Sequence, residues 1–153
     1  MERLSLTVNE RKTRIACVPE ESFDFLGYTV GRFYGKDGKA FIGTEPSRKS
    51  VQRIIERIHD ETTPRWRLQP IEKRVDELNA LLRGWSGYFN QGRVIRAYRI
   101  IQKYTNRRLR RWLMQLRGKR GTGYRQYSDE YLYETLGLYQ LPSSRAAVAK
   151  AKA

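Results

Sequence analysis

Hydrophobic and polar residues alternate in the first part of the chain, and a period of two is typical of β-strands. The alternation runs through LSLTV and RIACV, and the aromatic segments FDFLGYTV and KAFIG follow as two further short strands. Asp37 and Gly38 lie between the last two segments and provide the turn signal of a hairpin. We therefore expect antiparallel strands up to Pro46, which ends the extended region.

After residue 46 the hydrophobic period changes to 3.6 residues, so the sequence predicts three amphipathic helices. The first follows Ser47, which is well placed as an N-cap, and has an apolar stripe at i, i+3, i+4 and i+7 from Val51. The second follows Pro70 and closes at Gly84. The third covers residues 94–116.

The remaining residues carry weaker patterns. The loop GKRGTG breaks the third helix and is interpreted as a flexible basic linker, SDEYLYETL predicts a short helix from Ser128, and PSSRAAVAKAKA is typical of a poorly ordered end. The predicted fold class is α+β: N-terminal antiparallel strands with a hairpin, then a three-helix bundle and a short C-terminal helix. The expected divisions are residues 1–45, 46–117 and 118–153.

Positive charge is concentrated in one part of the chain. The formal net charge is +15, and residues 93–127 contain twelve Lys or Arg residues and no acid. A focused positive field attracts polyanions, and nucleic acid is the commonest large one. The alternative is a basic surface that serves solubility only.

Helical spacing arranges these cations on faces. Three of them run at i+4 steps along the first helix, and five recur at three- and four-residue steps on the third helix and share one face. Arg108 and Arg111 fall off that line and either contact a second nucleic-acid segment or are simply solvated. The candidate contacts are Lys49, Arg53, Arg57, Arg96, Arg99, Lys103, Arg107, Arg110 and Arg111.

Other kinds of chemistry find little support. Cys17 is the only cysteine and His59 the only histidine, and no set of neighbouring residues has metal-ligand spacing. No apolar run approaches the ~20 residues of a membrane span, and the N-terminus lacks the pattern of a secretory signal. We expect a cytoplasmic protein without a metal, a cofactor or a membrane partner.

Several segments together resemble the C-terminal part of a group II intron reverse transcriptase, also called a maturase. The similarity is carried, in order, by ERKTRIA, FDFLGYTV, EPSRKSVQRI, LNALLRGWSGYFNQG and RRLRRWL. The resemblance implies that residues 1–45 are the end of the polymerase palm. It also implies that residues 46–117 are the thumb, or maturase-specific domain, a small helical bundle that contacts RNA.

Two short motifs take roles from this resemblance. Lys12 matches the lysine of polymerase motif D, which lies near the nucleotide phosphates. The motif FLGY is similar to the primer grip, a hairpin that holds the 3′ end of the primer. Its residues here are Phe25, Leu26, Gly27 and Tyr28. A glycine allows close approach of a sugar-phosphate backbone, and aromatic rings offer flat surfaces for a sugar or base. The alternative is that the apolar residues form the core face of the sheet.

The carboxylates of a polymerase site are missing. Phosphoryl transfer needs acids that hold two metal ions, in this family a Tyr-x-Asp-Asp hairpin and an earlier aspartate. The chain has no Asp-Asp pair, and Asp129 in YSDE follows the thumb, where it is interpreted as part of a helix first turn. We therefore expect no polymerase activity from this chain alone, with Mg²⁺ bound only in a separate catalytic core.

The predicted function is RNA binding, with intron RNA and a template–primer duplex as the partners. Such binding would support intron splicing and the RNA-directed DNA synthesis of retrotransposition, together with a catalytic reverse-transcriptase core acting in trans. The alternative is a stand-alone basic nucleic-acid-binding protein with no link to reverse transcription.

Overall fold

The structure is a computed structural model that describes residues 21–152. The strand pair predicted in LSLTV and RIACV, together with Lys12 and Cys17, lies outside the described residues.

A three-stranded antiparallel sheet opens the described part, with strands β1 (Phe23–Phe25), β2 (Tyr28–Tyr34) and β3 (Ala40–Pro46) in that order. The hairpin between β2 and β3 turns at Asp37-Gly38, as the sequence predicts. FDFLGYTV, however, is two strands, separated by a tight turn at Leu26-Gly27 with φ values of 50° and 83°. Gly27 is a residue that marks such a turn, but leucine before it is not, so the sequence pattern predicts one strand for this segment.

Four α-helices follow the sheet. They are α1 (Arg48–Glu61), α2 (Ile71–Tyr88), α3 (Ile95–Leu116) and α4 (Arg145–Lys152). The predicted cap of α1 is confirmed, because the backbone N–H of Ser50 donates to Ser47 Oγ at 3.2 Å. A 3₁₀ turn, Pro64–Trp66, lies between α1 and α2, and a π-helical turn, Tyr131–Thr135, precedes α4. Within residues 21–152, no helix combines the length and apolar composition that a bilayer span requires.

Helix α2 continues past its predicted end at Gly84 to Tyr88. Local ring packing and a contact from α3 hold this last turn. The rings of Trp85 and Phe89 lie 4.5 Å apart, and Tyr98 Oη of α3 donates to the Phe89 carbonyl at 2.6 Å. These contacts outweigh the ~1 kcal/mol that a glycine costs inside a helix.

The core is shared by α1, α2, α3 and the residues after α3. Its buried members include Ile54, Ile58, Val75, Leu78, Leu82, Ile101, Leu109, Trp112, Leu132, Leu138, Leu141 and Val148. The last of these lies in α4, where the sequence predicts a poorly ordered end. Side-chain amides fix this segment: the N–H of Tyr139 donates to Asn79 Oδ1 at 2.6 Å, and that of Leu141 donates to Gln102 Oε1 at 2.8 Å. The C-terminal segment is therefore part of the bundle.

Candidate nucleic-acid interface

An exposed row of cations runs along α3. We call Arg96, Arg99, Lys103 and Arg107 the α3 basic row; all four are exposed at three- and four-residue steps. Helix α3 contains no acidic residue, so like charges at neighbouring steps repel each other by a few tenths of a kcal/mol per pair. A bound polyanion removes that repulsion.

Arg110 shares the spacing of the row but is buried, with 1% of its surface exposed. Its guanidinium forms an ion pair with Asp129, and its Nε donates to the carbonyl of Tyr127 at 2.5 Å. Asn106 Nδ2 also donates to Asp129 Oδ1, at 3.0 Å. The chain after α3 folds back over this part of the helix, so Arg110 is a structural residue. The burial of Arg110 corrects its prediction as a nucleic-acid contact. Asp129 lies in the first helical turn after Ser128, as predicted, and it also forms the ion pair with Arg110.

Arg108 and Arg111, both off the predicted line, differ from each other. Arg108 is half-buried and fastens α3 to the end of α1, since its Nε donates to Thr62 Oγ1 at 2.9 Å and its Nη2 to the Thr62 carbonyl at 3.1 Å. Burial lowers the pKa of Arg108. Arg111 is exposed and lies in a groove. Only Arg111 of the two is therefore free to contact a ligand.

That groove lies between the C-terminal half of α3 and the GKRGTG loop, and we call it the α3–loop groove. Its volume is about 580 Å³. Four cations line it: Arg107, Arg111, Lys119 and Arg120. The other lining residues are Met114, Gln115, Gly121, Thr122 and Tyr124. The loop, predicted as a flexible linker, turns tightly against α3. The N–H of Lys119 donates to the Met114 carbonyl at 3.0 Å, and a Cβ at Gly123 would lie 2.9 Å from Met114 Cγ. This groove was not predicted from the sequence, although the run of basic and glycine residues in GKRGTG is a signal for it.

A second groove, of about 670 Å³, lies between α1 and α2 and is called the α1–α2 groove. Arg53 and Arg57 line its α1 side, and Trp85 and Tyr88 line its α2 side. The Leu26-Gly27 turn also lines it, so the structure brings two of the predicted α1 cations together with the FLGY motif. Lys49 is exposed on α1 but does not line this groove. Two acids, Glu61 and Glu77, also face the groove, which makes it less positive than the α3–loop groove.

The FLGY turn is firmly attached to the bundle. The Gly27 carbonyl accepts bonds from the Ser47 N–H and from Ser50 Oγ, both at 2.8 Å. Phe25 and Leu26 are exposed, so these two do not form a core face of the sheet. Tyr28 is half-buried, and burial raises its pKa.

Gly27 is required by the packing of the protein itself. A Cβ at this position would lie 2.9 Å from both Phe89 Cζ and Ser50 Oγ, and the φ of 83° already disfavours other residues. Packing alone therefore explains why residue 27 is a glycine. The glycine is not by itself evidence that a nucleic-acid backbone approaches this position.

Among residues 21–152, no group of three or more His, Cys, Asp or Glu side chains is arranged to hold a metal ion. The expectation that the chain carries no metal or other cofactor stays a prediction.

One comparison with known proteins gave a match. The family model described as the group II intron, maturase-specific domain matches residues 51–130. That range contains most of α1, all of α2 and α3, the α3 basic row, the GKRGTG loop and Asp129. No curated protein and no solved structure matched the chain.

Proposed function

This chain belongs to the family of the group II intron maturase-specific domain, and from that membership we propose that it binds intron RNA through the α3 basic row and supports splicing. The observation that carries the proposal is the position of the row: four exposed cations on a helix without acids, inside the residues that match the family. A 22-residue helix is about 33 Å long, which is enough to follow a phosphate backbone over several nucleotides.

We propose further that a template–primer duplex contacts the α1–α2 groove, with the FLGY turn at its end and a separate catalytic core completing the polymerase. Support comes from the lining of the groove, where Arg53 and Arg57 face Trp85 and Tyr88. Arginines in a groove suit the phosphates of a duplex backbone, and the aromatic rings beside them offer flat surfaces to its sugars. The acids Glu61 and Glu77 argue that this contact is weaker than the contact at α3.

The experiment is a salt titration of RNA binding. A labelled group II intron RNA is bound at several salt concentrations by the wild-type chain and by the triple variant Arg99→Gln, Lys103→Gln, Arg107→Gln. Each lost phosphate contact reduces the slope of log K against log salt by roughly 0.7 to 0.9, so three contacts reduce it by roughly 2 to 3.

The matched control removes three exposed cations from other parts of the chain: Lys36→Gln, Lys39→Gln, Lys150→Gln. It makes the same change in net charge, and we expect a slope close to that of the wild type. An equal decrease in both triple variants would show attraction by net charge alone, and an unchanged slope in the α3 variant would place the RNA site elsewhere.

The alternative, a general basic nucleic-acid-binding protein, predicts no preference for intron RNA. Competition between labelled intron RNA and increasing amounts of duplex DNA, at one fixed salt concentration, separates the two functions because salt alone changes both affinities greatly. Loss of about half of the bound RNA when the DNA and RNA phosphate concentrations are equal would favour the alternative.

A further inference from the structure

We propose that the α3–loop groove holds an unpaired RNA nucleotide, with its base stacked on Tyr124 and the neighbouring phosphates held by Arg111, Lys119 and Arg120. This inference rests on the proposed RNA binding, and it specifies which form of RNA is accepted at this end of α3. The α3 basic row offers charge to any phosphate backbone, whereas the groove adds an exposed aromatic ring.

The ring of Tyr124 has a fixed support. The guanidinium carbon of Arg110 lies 4.1 Å from the centroid of the ring. Arg110 itself is buried and is held by Asp129 and by the Tyr127 carbonyl. Arg110 is therefore a positioning residue that keeps the ring in one orientation. Tyr124 is nevertheless 53% exposed, so about half of its surface is open to a ligand.

A ring held in this way is suited to stacking. A side chain that is already ordered loses little conformational entropy when a ligand binds. Base stacking on an aromatic side chain tolerates any base, because every base has a flat face. In a duplex the bases are stacked on each other, so an aromatic side chain stacks only on bases that are unpaired.

The surroundings of Tyr124 match a nucleotide in charge and size. Four cations and no acid line the groove, and its volume of about 580 Å³ lies in the range of small-ligand sites, roughly 300 to 1,000 Å³. The hydroxyl of Thr122 and the amide of Gln115 also line it and can hydrogen-bond to base edges. Charge, an ordered ring and adaptable polar groups thus meet in one groove.

The test compares two RNAs of equal phosphate number, a labelled single strand and a double-stranded RNA, at one salt concentration. We expect Tyr124→Leu to weaken binding of the single strand on the order of 5- to 100-fold and binding of the duplex by less than about twofold. Tyr124→Phe keeps the flat ring and should bind both RNAs as the wild type does.

Tyr34→Leu is the matched control. Tyr34 is also exposed, at 61%, and also has a guanidinium over its ring, that of Arg32 at 5.5 Å. It lies on β2 and does not line the α3–loop groove. Its removal should change neither affinity. Circular dichroism and urea unfolding of each variant verify the fold.

A second measurement needs no variant. Ultraviolet crosslinking of a uridine strand to the wild-type chain, mapped by mass spectrometry, should place the adduct on Tyr124. An adduct only at other residues, or equal effects of Tyr124→Leu on both RNAs, would overturn the stacking proposal while leaving RNA binding intact. A wild-type chain that binds neither RNA would overturn the proposed function as well.

Discussion

Tyr28 and Tyr88 form reciprocal hydrogen bonds between the sheet and the bundle. Tyr28 Oη donates to the carbonyl of Tyr88 at 2.9 Å, and Tyr88 Oη donates to the carbonyl of Leu26, also at 2.9 Å. The two side chains thereby hold the β1–β2 turn against the end of α2. The position of the FLGY motif is thus set by its contacts with the helices as well as by its own strands.

We expect the double change Tyr28→Phe, Tyr88→Phe to loosen this attachment. Each hydroxyl contributes about 0.5 to 1.5 kcal/mol through its hydrogen bond, and the rings remain to preserve the packing. Amide hydrogen exchange should become faster in residues 23–34 and stay unchanged in α3, the internal control. Unchanged protection of residues 23–34 would show that other contacts fix the turn.

The ion pair between Arg110 and Asp129 predicts an asymmetric response to mutation. Asp129→Ala leaves a buried guanidinium without its acid, and breaking a buried pair in this way costs about 3 to 5 kcal/mol. Because 62% of the Asp129 side chain is exposed, solvent reduces this cost to the lower end of the range. Urea unfolding measures the change, and Arg107→Ala, which removes an exposed cation, should cost less than about 0.5 kcal/mol.

The single variant Arg110→Met and the double variant Arg110→Met, Asp129→Ala complete the cycle. Methionine keeps apolar volume while removing the charge, so the double variant should be more stable than Asp129→Ala alone. Strict additivity of the single changes would mean that the two side chains do not interact energetically.

Gly27→Ala should destabilise the protein more than Gly38→Ala. Both glycines have positive φ, 83° and 73°, so both alanines cost about 1 to 2 kcal/mol of backbone strain. A Cβ at Gly38 meets nothing within 4 Å, whereas one at Gly27 lies 2.9 Å from the Phe89 ring. Overpacking adds roughly 1 to 3 kcal/mol at Gly27 alone. Equal free energies of unfolding for the two variants would contradict the close packing of the turn.

We expect the folding stability of the protein to fall at alkaline pH because of Tyr98. Its side chain is buried, and desolvation raises the pKa of Tyr98 from 10.0 to about 12. Above pH 10 the folded state therefore keeps the Tyr98 proton, whereas the unfolded state loses it. The contribution of Tyr98 to the free energy of unfolding is complete below pH 10 and is lost as the pH rises toward 12. The loss is on the order of 2 kcal/mol.

Tyr98→Phe is the control for that dependence. It removes the phenol that donates to the Ser86 and Phe89 carbonyls, which costs about 1 to 2 kcal/mol at every pH. Between pH 9 and pH 11 its unfolding free energy should fall less steeply than that of the wild type. Parallel curves would show that other groups produce the alkaline loss.

Sequence periodicity predicted those features that depend on local spacing. The stripe that contains Ile54 and Ile58 correctly predicted α1 and its buried face. The row from Arg96 to Arg107 is exposed, as its spacing on α3 indicated. Such patterns reflect 3.6 residues per turn and need no knowledge of the rest of the chain.

Features set by distant contacts were not predictable in this way. Arg110 has the same spacing as its exposed neighbours, but residues after the GKRGTG loop cover it. The turn at Leu26-Gly27 is held by the ends of α1 and α2. Helix α2 continues through Gly84 because Tyr28 of the sheet and Tyr98 of α3 donate to carbonyls at its end. Each of these outcomes is decided by a partner far away in the chain.

The contribution of the C-terminal segment to the core determines when the bundle can close during synthesis. Leu132, Leu141 and Val148 belong to the same buried cluster as Ile54 of α1. While the ribosome is still adding these residues, the apolar surface that they cover on the three long helices remains open to solvent. Final packing is therefore a late event, because it must wait until Val148 has left the ribosome. A released chain that stops at Leu116 would keep this surface exposed.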